Sequence, residues 1–316
     1  MKYYIGIDLG GTNIAAGVID SEYNLIAKEV IATNAAADPL TTQKRMCELA
    51  KKTAKSAGIP FEQISSIGVG VPGTANQKTG IVEFACNVGF INEPVVKNMS
   101  ALLKKPVFIE NDANAAALAE FVCTADKKCK NLVLVTLGTG VGGGVVIDGK
   151  LFRGSNFAGA ELGHIVIKKD GRECGCKRKG CFETYASATG LVNTTKEFMI
   201  KDQSSKLWEI SGGLDGVDGK TAFDAMRLND KTATAVINQY INDLSCGITN
   251  IVNIFQPDIL CIGGGISAEG ETLLKPLREK VALEQYARYS DKKTFIKKAS
   301  LSNDAGIIGA ALSGLY

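Results

Sequence analysis

Two strand–glycine–strand units share one register along the chain. Leu9-Gly10 and Val18-Ile19-Asp20 recur as Leu137-Gly138 and Val146-Ile147-Asp148, every pair offset by 128 positions. Apolar-glycine strings recur by chance, yet five identities placed around equivalent turns favour duplication. A chain built this way has two related halves. Glycine turns facing each other across a cleft between two lobes would suit a phosphate-bearing ligand, because free backbone N–H groups in such turns form a concave anion site.

The rest of the chain keeps the same alternation. Strands are predicted at Tyr3–Leu9, Ile14–Asp20, Leu25–Thr33, Ile64–Val71 and Pro106–Glu110, with further strands flanking the second glycine turn from Leu132 to Asp148 and at Ile259–Ile262 and Phe295. Asp38 and Pro39 read as N-cap and first-turn proline of a helix that Gly58 closes. Helices follow at Ala113–Val122, Lys231–Phe255, Glu271–Leu283 and in a small-residue segment ending near Leu315. Strands alternating with helices over 316 residues make an α/β fold, with helices covering the sheet faces and enough chain for one large or two ordinary domains.

Three glycine-rich loops are candidates for nucleotide contact. In Asp8-Leu9-Gly10-Gly11-Thr12-Asn13, Asp8 at the strand end could hold Mg²⁺ through water, and Thr12 and Asn13 could donate to phosphate oxygens. The alternative there is a plain glycine hairpin. The second loop, Thr136 to Gly144, matches G-x-G-x-x-G at Gly138, Gly140 and Gly143, but a β-branched strand follows it. A dinucleotide fingerprint must open a helix, so the Rossmann reading fails. Gly219-Lys220-Thr221 lacks the earlier glycine of a P-loop, having Leu214 in that place. The third loop, Gly263-Gly264-Gly265, follows a buried strand, where open α/β sheets bind ligands.

The chain has one histidine and nine cysteines. A single histidine excludes H-E-x-x-H and three-histidine metal sites. His164, Cys174, Cys176 and Cys181 make a four-ligand N/S set suited to structural zinc. Four protein ligands close the shell, so such a zinc would not activate water. Cys47, Cys86, Cys123, Cys129, Cys246 and Cys261 show no ligand spacing and read as buried or surface thiols. The segment is also basic, with Lys168, Lys169, Arg172, Lys177, Arg178 and Lys179, but it lacks interleaved aromatics for stacking bases, and a solvated loop is expected. With a net charge of +3, no signal-peptide pattern and no long apolar run, the chain is expected in the cytoplasm with thiols reduced, binding neither nucleic acid nor membrane.

Glu110-Asn111-Asp112 ends a strand and begins a helix. Asp112 reads as an N-cap or, functionally, as a carboxylate that accepts the proton of an attacking hydroxyl.

Taken together, these residues resemble the ROK family of bacterial sugar kinases and repressors, particularly its glucokinase-type members, from about Ile5 to Leu315. The resemblance is carried by the Asp8–Asn13 turn, Gly70-Val71-Pro72-Gly73, Glu110-Asn111-Asp112, the Gly138–Gly144 turn, and Glu161-x-x-His164 with Cys174-x-Cys176-x₄-Cys181-x-Glu183. It implies an actin-like (ribonuclease-H-like) two-lobed ATPase fold: a small lobe over 1–118, joined by the helix of about 302–316, and a large lobe over 119–301. It implies ATP-dependent phosphorylation of the 6-hydroxyl of a hexose, glucose first, with an N-acetylhexosamine or fructose kinase and a non-catalytic sugar sensor as alternatives. By the same resemblance Asp112 is the base, while Gly73, Asn111, Asp112, Glu161, His164 and Glu183 meet the sugar. Asp8, Gly10, Gly11, Thr12, Asn13, Thr136, Gly138, Thr139 and Gly140 would hold the phosphates and Mg²⁺, and Gly263, Gly264 and Gly265 the adenosine. A homodimer is also implied. Repressors of the family carry an N-terminal helix-turn-helix; here the Asp8 turn comes too early for one, so a kinase is expected. The choice among hexoses is expected to lie with residues between Thr74 and Asn92.

Overall fold

The computed structural model describes residues 2–34, 37–126 and 128–316. Its strands are β1 (Tyr3–Leu9), β2 (Asn13–Ile19), β3 (Leu25–Ala32), β4 (Ile64–Val71), β5 (Thr74–Asn76), β6 (Ile81–Ala85), β7 (Phe90–Glu93), β8 (Val107–Asn111), β9 (Leu132–Leu137), β10 (Val141–Ile147), β11 (Lys150–Leu151), β12 (Ile259–Gly263) and β13 (Phe295–Lys298). Its helices are α1 (Pro39–Ser56), α2 (Val95–Leu103), α3 (Asp112–Thr124), α4 (Glu183–Ala186), α5 (Ala188–Lys201), α6 (Leu207–Ser211), α7 (Thr221–Arg227), α8 (Lys231–Phe255), α9 (Glu271–Glu284) and α10 (Ala305–Leu312). None of the described helices is long and apolar enough to cross a membrane.

The chain divides into two compact units, one of Met1–Leu132, Gly144–Ala160 and Ser300–Tyr316, the other of Val133–Gly143 and Glu161–Ala299. Residue 118, the expected lobe boundary, lies inside α3. In the first unit the sheet runs β3-β2-β1-β4-β8, with β1, β4 and β8 parallel. Period-two alternation sorts β1 onto two faces. Ile5, Ile7 and Leu9 face a core shared with Met46, Leu49 and Ala50 of α1 and Met99 of α2. Tyr4 on the other face packs with Leu118 of α3 and Ile308 of α10. Gly6 and Gly68 let α10 lie directly on β1 and β4: a Cβ on either would come within 1.7 or 1.6 Å of a carbonyl oxygen of that helix.

The second five-stranded sheet has the order β11-β10-β9-β12-β13. Replacing β1, β2 and β3 by β9, β10 and β11, and β4 and β8 by β12 and β13, reproduces the first order. The duplication read from the sequence is thus a repeated sheet order, with each glycine turn closing the matching hairpin. In the second unit α8 packs against α5, α7 and α9. A third sheet, β5-β6-β7, occupies the segment expected to choose the sugar, where the sequence pattern predicts no strand.

Candidate functional site

The first group of site residues forms at the carboxyl ends of the parallel strands, where open α/β sheets bind ligands. Register places Asp8 beside Gly70 and Gly70 beside Glu110, one row across β1, β4 and β8. Burial pushes the Asp8 carboxyl above its ordinary range, and the Lys28 charge opposes this in part. The turn after it is pinned from within: Gly10 N–H donates to Asn13 O at 2.9 Å and the Thr33 hydroxyl to Gly10 O at 2.7 Å. Gly11, Thr12 and Asn13 are left exposed.

Asn111, rather than Asp112, caps α3: its Oδ1 accepts the Asn114 N–H at 3.0 Å. Its Nδ2 donates to Gly73 O, also at 3.0 Å, so two sugar-contact candidates are tied together. Gly73 has φ 84°, and a Cβ there would lie 2.1 Å from Phe84 O. Asp112 is the first residue of α3, its Oδ1 accepting the following N–H at 2.8 Å. Behind it lies Glu110, 1% exposed, whose carboxylate accepts from Arg153 Nε, Gln77 Nε2, Asn114 Nδ2 and the Asn111 N–H.

In the second unit the structure brings the other two glycine loops together. Gly264 has φ 79°, and a Cβ on it would lie 2.4 Å from Leu137 O; Gly263 is beside the Thr136 methyl. The turn at Gly138 closes by its own N–H donating to Gly140 O at 3.0 Å. The start of α5, capped by Ser187, holds the turn from outside: Ala188 N–H donates to Gly138 O at 2.8 Å, and the Thr189 hydroxyl to Thr139 O at 2.7 Å. A cavity of about 500 Å³ opens here, lined by Thr139, Glu183, Ser187, Thr189 and Asn193 among others.

The ligand atoms of His164, Cys174, Cys176 and Cys181 lie within 4.8 Å of one another, the one such group among the described residues. Cys174 Sγ is 3.6 Å from His164 Nδ1, and Cys176 Sγ is 3.7 Å from Cys181 Sγ. A tetrahedral zinc with sulfurs at ~2.3 Å needs edges of about 3.8 Å between them, so the group fits and could hold zinc. Glu161 is exposed, just ahead of the short turn Leu162–His164.

The loop is less solvated than expected. Lys168 pairs with Asp243 of α8 at 2.8 Å and lies over the Tyr185 ring at 4.3 Å. Arg172 pairs with Glu197, and its backbone N–H donates to Tyr185 Oη at 2.7 Å. Lys169, Lys177, Arg178 and Lys179 are exposed. Phe182, fully buried, rests in the notch left by Gly247 of α8, which fixes the residues on either side of it, Cys181 and Glu183.

Some of these supports escaped the sequence. Ser187 offered a readable N-cap signal. Arg153 and Gly247 offered none, because their partners lie 43 and 65 positions away in sequence.

The comparisons bear on the whole chain. Residues 4–313 match the model of the ROK family. A glucokinase of Thermotoga maritima is 36% identical over 312 residues, covering 97% of this chain and 95% of that protein. An N-acetyl-D-glucosamine kinase of Haemophilus influenzae is 28% identical, covering 98% of each. Among solved structures, the ROK family glucokinase of Streptomyces griseus in complex with glucose and AMPPNP superimposes with a TM-score of 0.84 at 32% identity, covering 99% of this chain and 100% of that one. The α/β fold expected from the sequence is therefore the fold of these sugar kinases, and the chain belongs to the ROK family.

Proposed function

We propose that the protein is an ATP-dependent hexose kinase that transfers the γ-phosphoryl group to the 6-hydroxyl of glucose. The observation that carries this reading is the Asn111–Asp112 pair at the carboxyl edge of the first sheet, with Asn111 tied to Gly73 and the Asp8–Asn13 turn in the same row of strands. Asp112 accepts the proton of the attacking hydroxyl. Asn111, Glu161, His164 and Glu183 hold the remaining sugar hydroxyls. The Asp8–Asn13 and Thr136–Gly140 turns receive the phosphates, and Gly263–Gly265 the adenosine. Phosphoryl transfer depends mainly on positioning and charge neutralisation, which such backbone turns supply.

Asp8 is the residue suited to hold Mg²⁺ with the nucleotide, where the ion would neutralise phosphate charge. Zinc fits the His164–Cys181 set as a structural ion. With Nδ1 turned to the sulfurs, His164 keeps Nε2–H as a directed donor for a sugar hydroxyl. The likeness to an N-acetyl-D-glucosamine kinase supports a second reading, in which the acceptor is an N-acetylhexosamine. A cytoplasmic homodimer completes the proposal, and gel filtration checks that part.

Phosphorus NMR of a reaction with ATP and glucose tests the whole. The expected products are glucose 6-phosphate and ADP. Absence of any sugar phosphate across glucose, mannose, fructose and N-acetylhexosamines would remove the kinase reading.

A further inference from the structure

Glu183 stands where two parts of the second unit meet. Its Oε2 accepts the Val141 N–H at 2.9 Å, at the exit of the Gly138–Gly140 turn. Its Oε1 lies 3.7 Å from Cys174 Sγ, a member of the four-ligand set. The space under the turn is shaped for this carboxylate, since a Cβ on Gly140 would fall 2.3 Å from Oε2.

The neighbouring contacts point the same way. Cys181 lies two residues before Glu183, and Phe182 between them is locked against Gly247. Ala188 and Thr189, a few residues later, hold the carbonyls of Gly138 and Thr139 at 2.8 and 2.7 Å. One stretch of chain, 181–189, therefore starts in the metal set and ends on the phosphate turn. A tetrahedral site fixes its ligands and whatever is rigidly joined to them.

We propose that Glu183 is a positioning residue for the phosphate turn, coupling the metal site to nucleotide binding in addition to any contact with sugar. The coupling rests on the kinase reading above. Metal-loaded protein holds Val141, and with it the turn, in the conformation that receives phosphates. Loss of the metal lets the 181–189 stretch move, and the turn with it. The effect needs no sugar.

The test measures affinity for a non-hydrolysable ATP analogue with Mg²⁺, without sugar, in five samples: wild type and Glu183→Ala, each zinc-loaded and chelator-stripped, and zinc-loaded Glu183→Gln. Stripping the wild type and removing the side chain should each weaken binding roughly fivefold or more. Stripping Glu183→Ala should add no further loss. Glu183→Gln keeps an acceptor for the Val141 N–H and should bind the analogue like loaded wild type. Equal affinity in loaded and stripped wild type, multiplicative losses in the double case, or Glu183→Gln as weak as Glu183→Ala would overturn the coupling while leaving the kinase reading intact. A wild type that binds no analogue in any state overturns the kinase reading and the coupling with it.

Discussion

Arg153 Nε donates to Glu110 Oε2 at 2.8 Å, with the two side chains 21% and 2% exposed. Glu110 is buried directly behind the Asn111–Asp112 pair, and the guanidinium neutralises it there. Removing one partner of such a pair strands the other charge. Arg153→Ala should destabilise the protein by about 3–5 kcal/mol. Arg153→Lys, which keeps the charge, should recover part of that. Chemical denaturation of the three proteins checks the order; equal midpoints would show that the pair contributes nothing.

Asp112→Ala should lower turnover by roughly 10²–10⁴, the usual range for a lost general base. Sugar and ATP analogue should still bind by calorimetry, because Asn111 rather than Asp112 caps α3 and ties Gly73. A variant with near-normal turnover would exclude Asp112 as the base.

The raised Asp8 pKa gives a signed pH dependence. Burial disfavours its charged form, so the folded carboxyl binds a proton at higher pH than the unfolded one. The destabilisation is fully present above the folded pKa and is relieved as pH falls through it. Cation binding needs the carboxylate. Mg²⁺-dependent nucleotide affinity should therefore fall with acidification in a window starting above the ordinary Asp value, and Asp8→Asn should abolish that limb while raising the melting temperature at neutral pH. An unchanged limb in Asp8→Asn would assign it to another group.

Much of the fold was legible because its elements carry local signals. The apolar run Ile64–Val71 and the Asp38-Pro39 start with Gly58 beyond the end were sufficient for β4 and α1. The small sheet was not, since β5, β6 and β7 have only 3, 5 and 4 residues and leave Phe84 and Ile91 exposed, against the usual alternation. α5 was hidden by its Thr, Gly and Asn content, which depresses helix propensity; Ser187 and packing on α8 supply what propensity lacks. At the site, the glycine loops and the ligand set were readable as motifs. The supports of the Asn111–Asp112 pair and of the ligand set, Arg153 on Glu110 and Gly247 under Phe182, exist only once distant segments meet.

Gly247→Ala tests that last support. The added methyl would come within 2.3 Å of the Phe182 ring, an overpacking worth roughly 1–3 kcal/mol. Because Phe182 sits between Cys181 and Glu183, zinc should also be lost at lower chelator concentration than from wild type. A destabilised variant with wild-type zinc retention would separate the packing from the metal site.

Phosphoryl transfer from ATP should depend on a sugar acceptor. Coupled ADP release over a panel of hexoses and N-acetylhexosamines, with wild type and Asp112→Ala side by side, tests it most directly. Release should require sugar, be fastest with glucose and fall by roughly 10²–10⁴ in Asp112→Ala. ADP release equal with and without sugar, or no release with any of them, would contradict it.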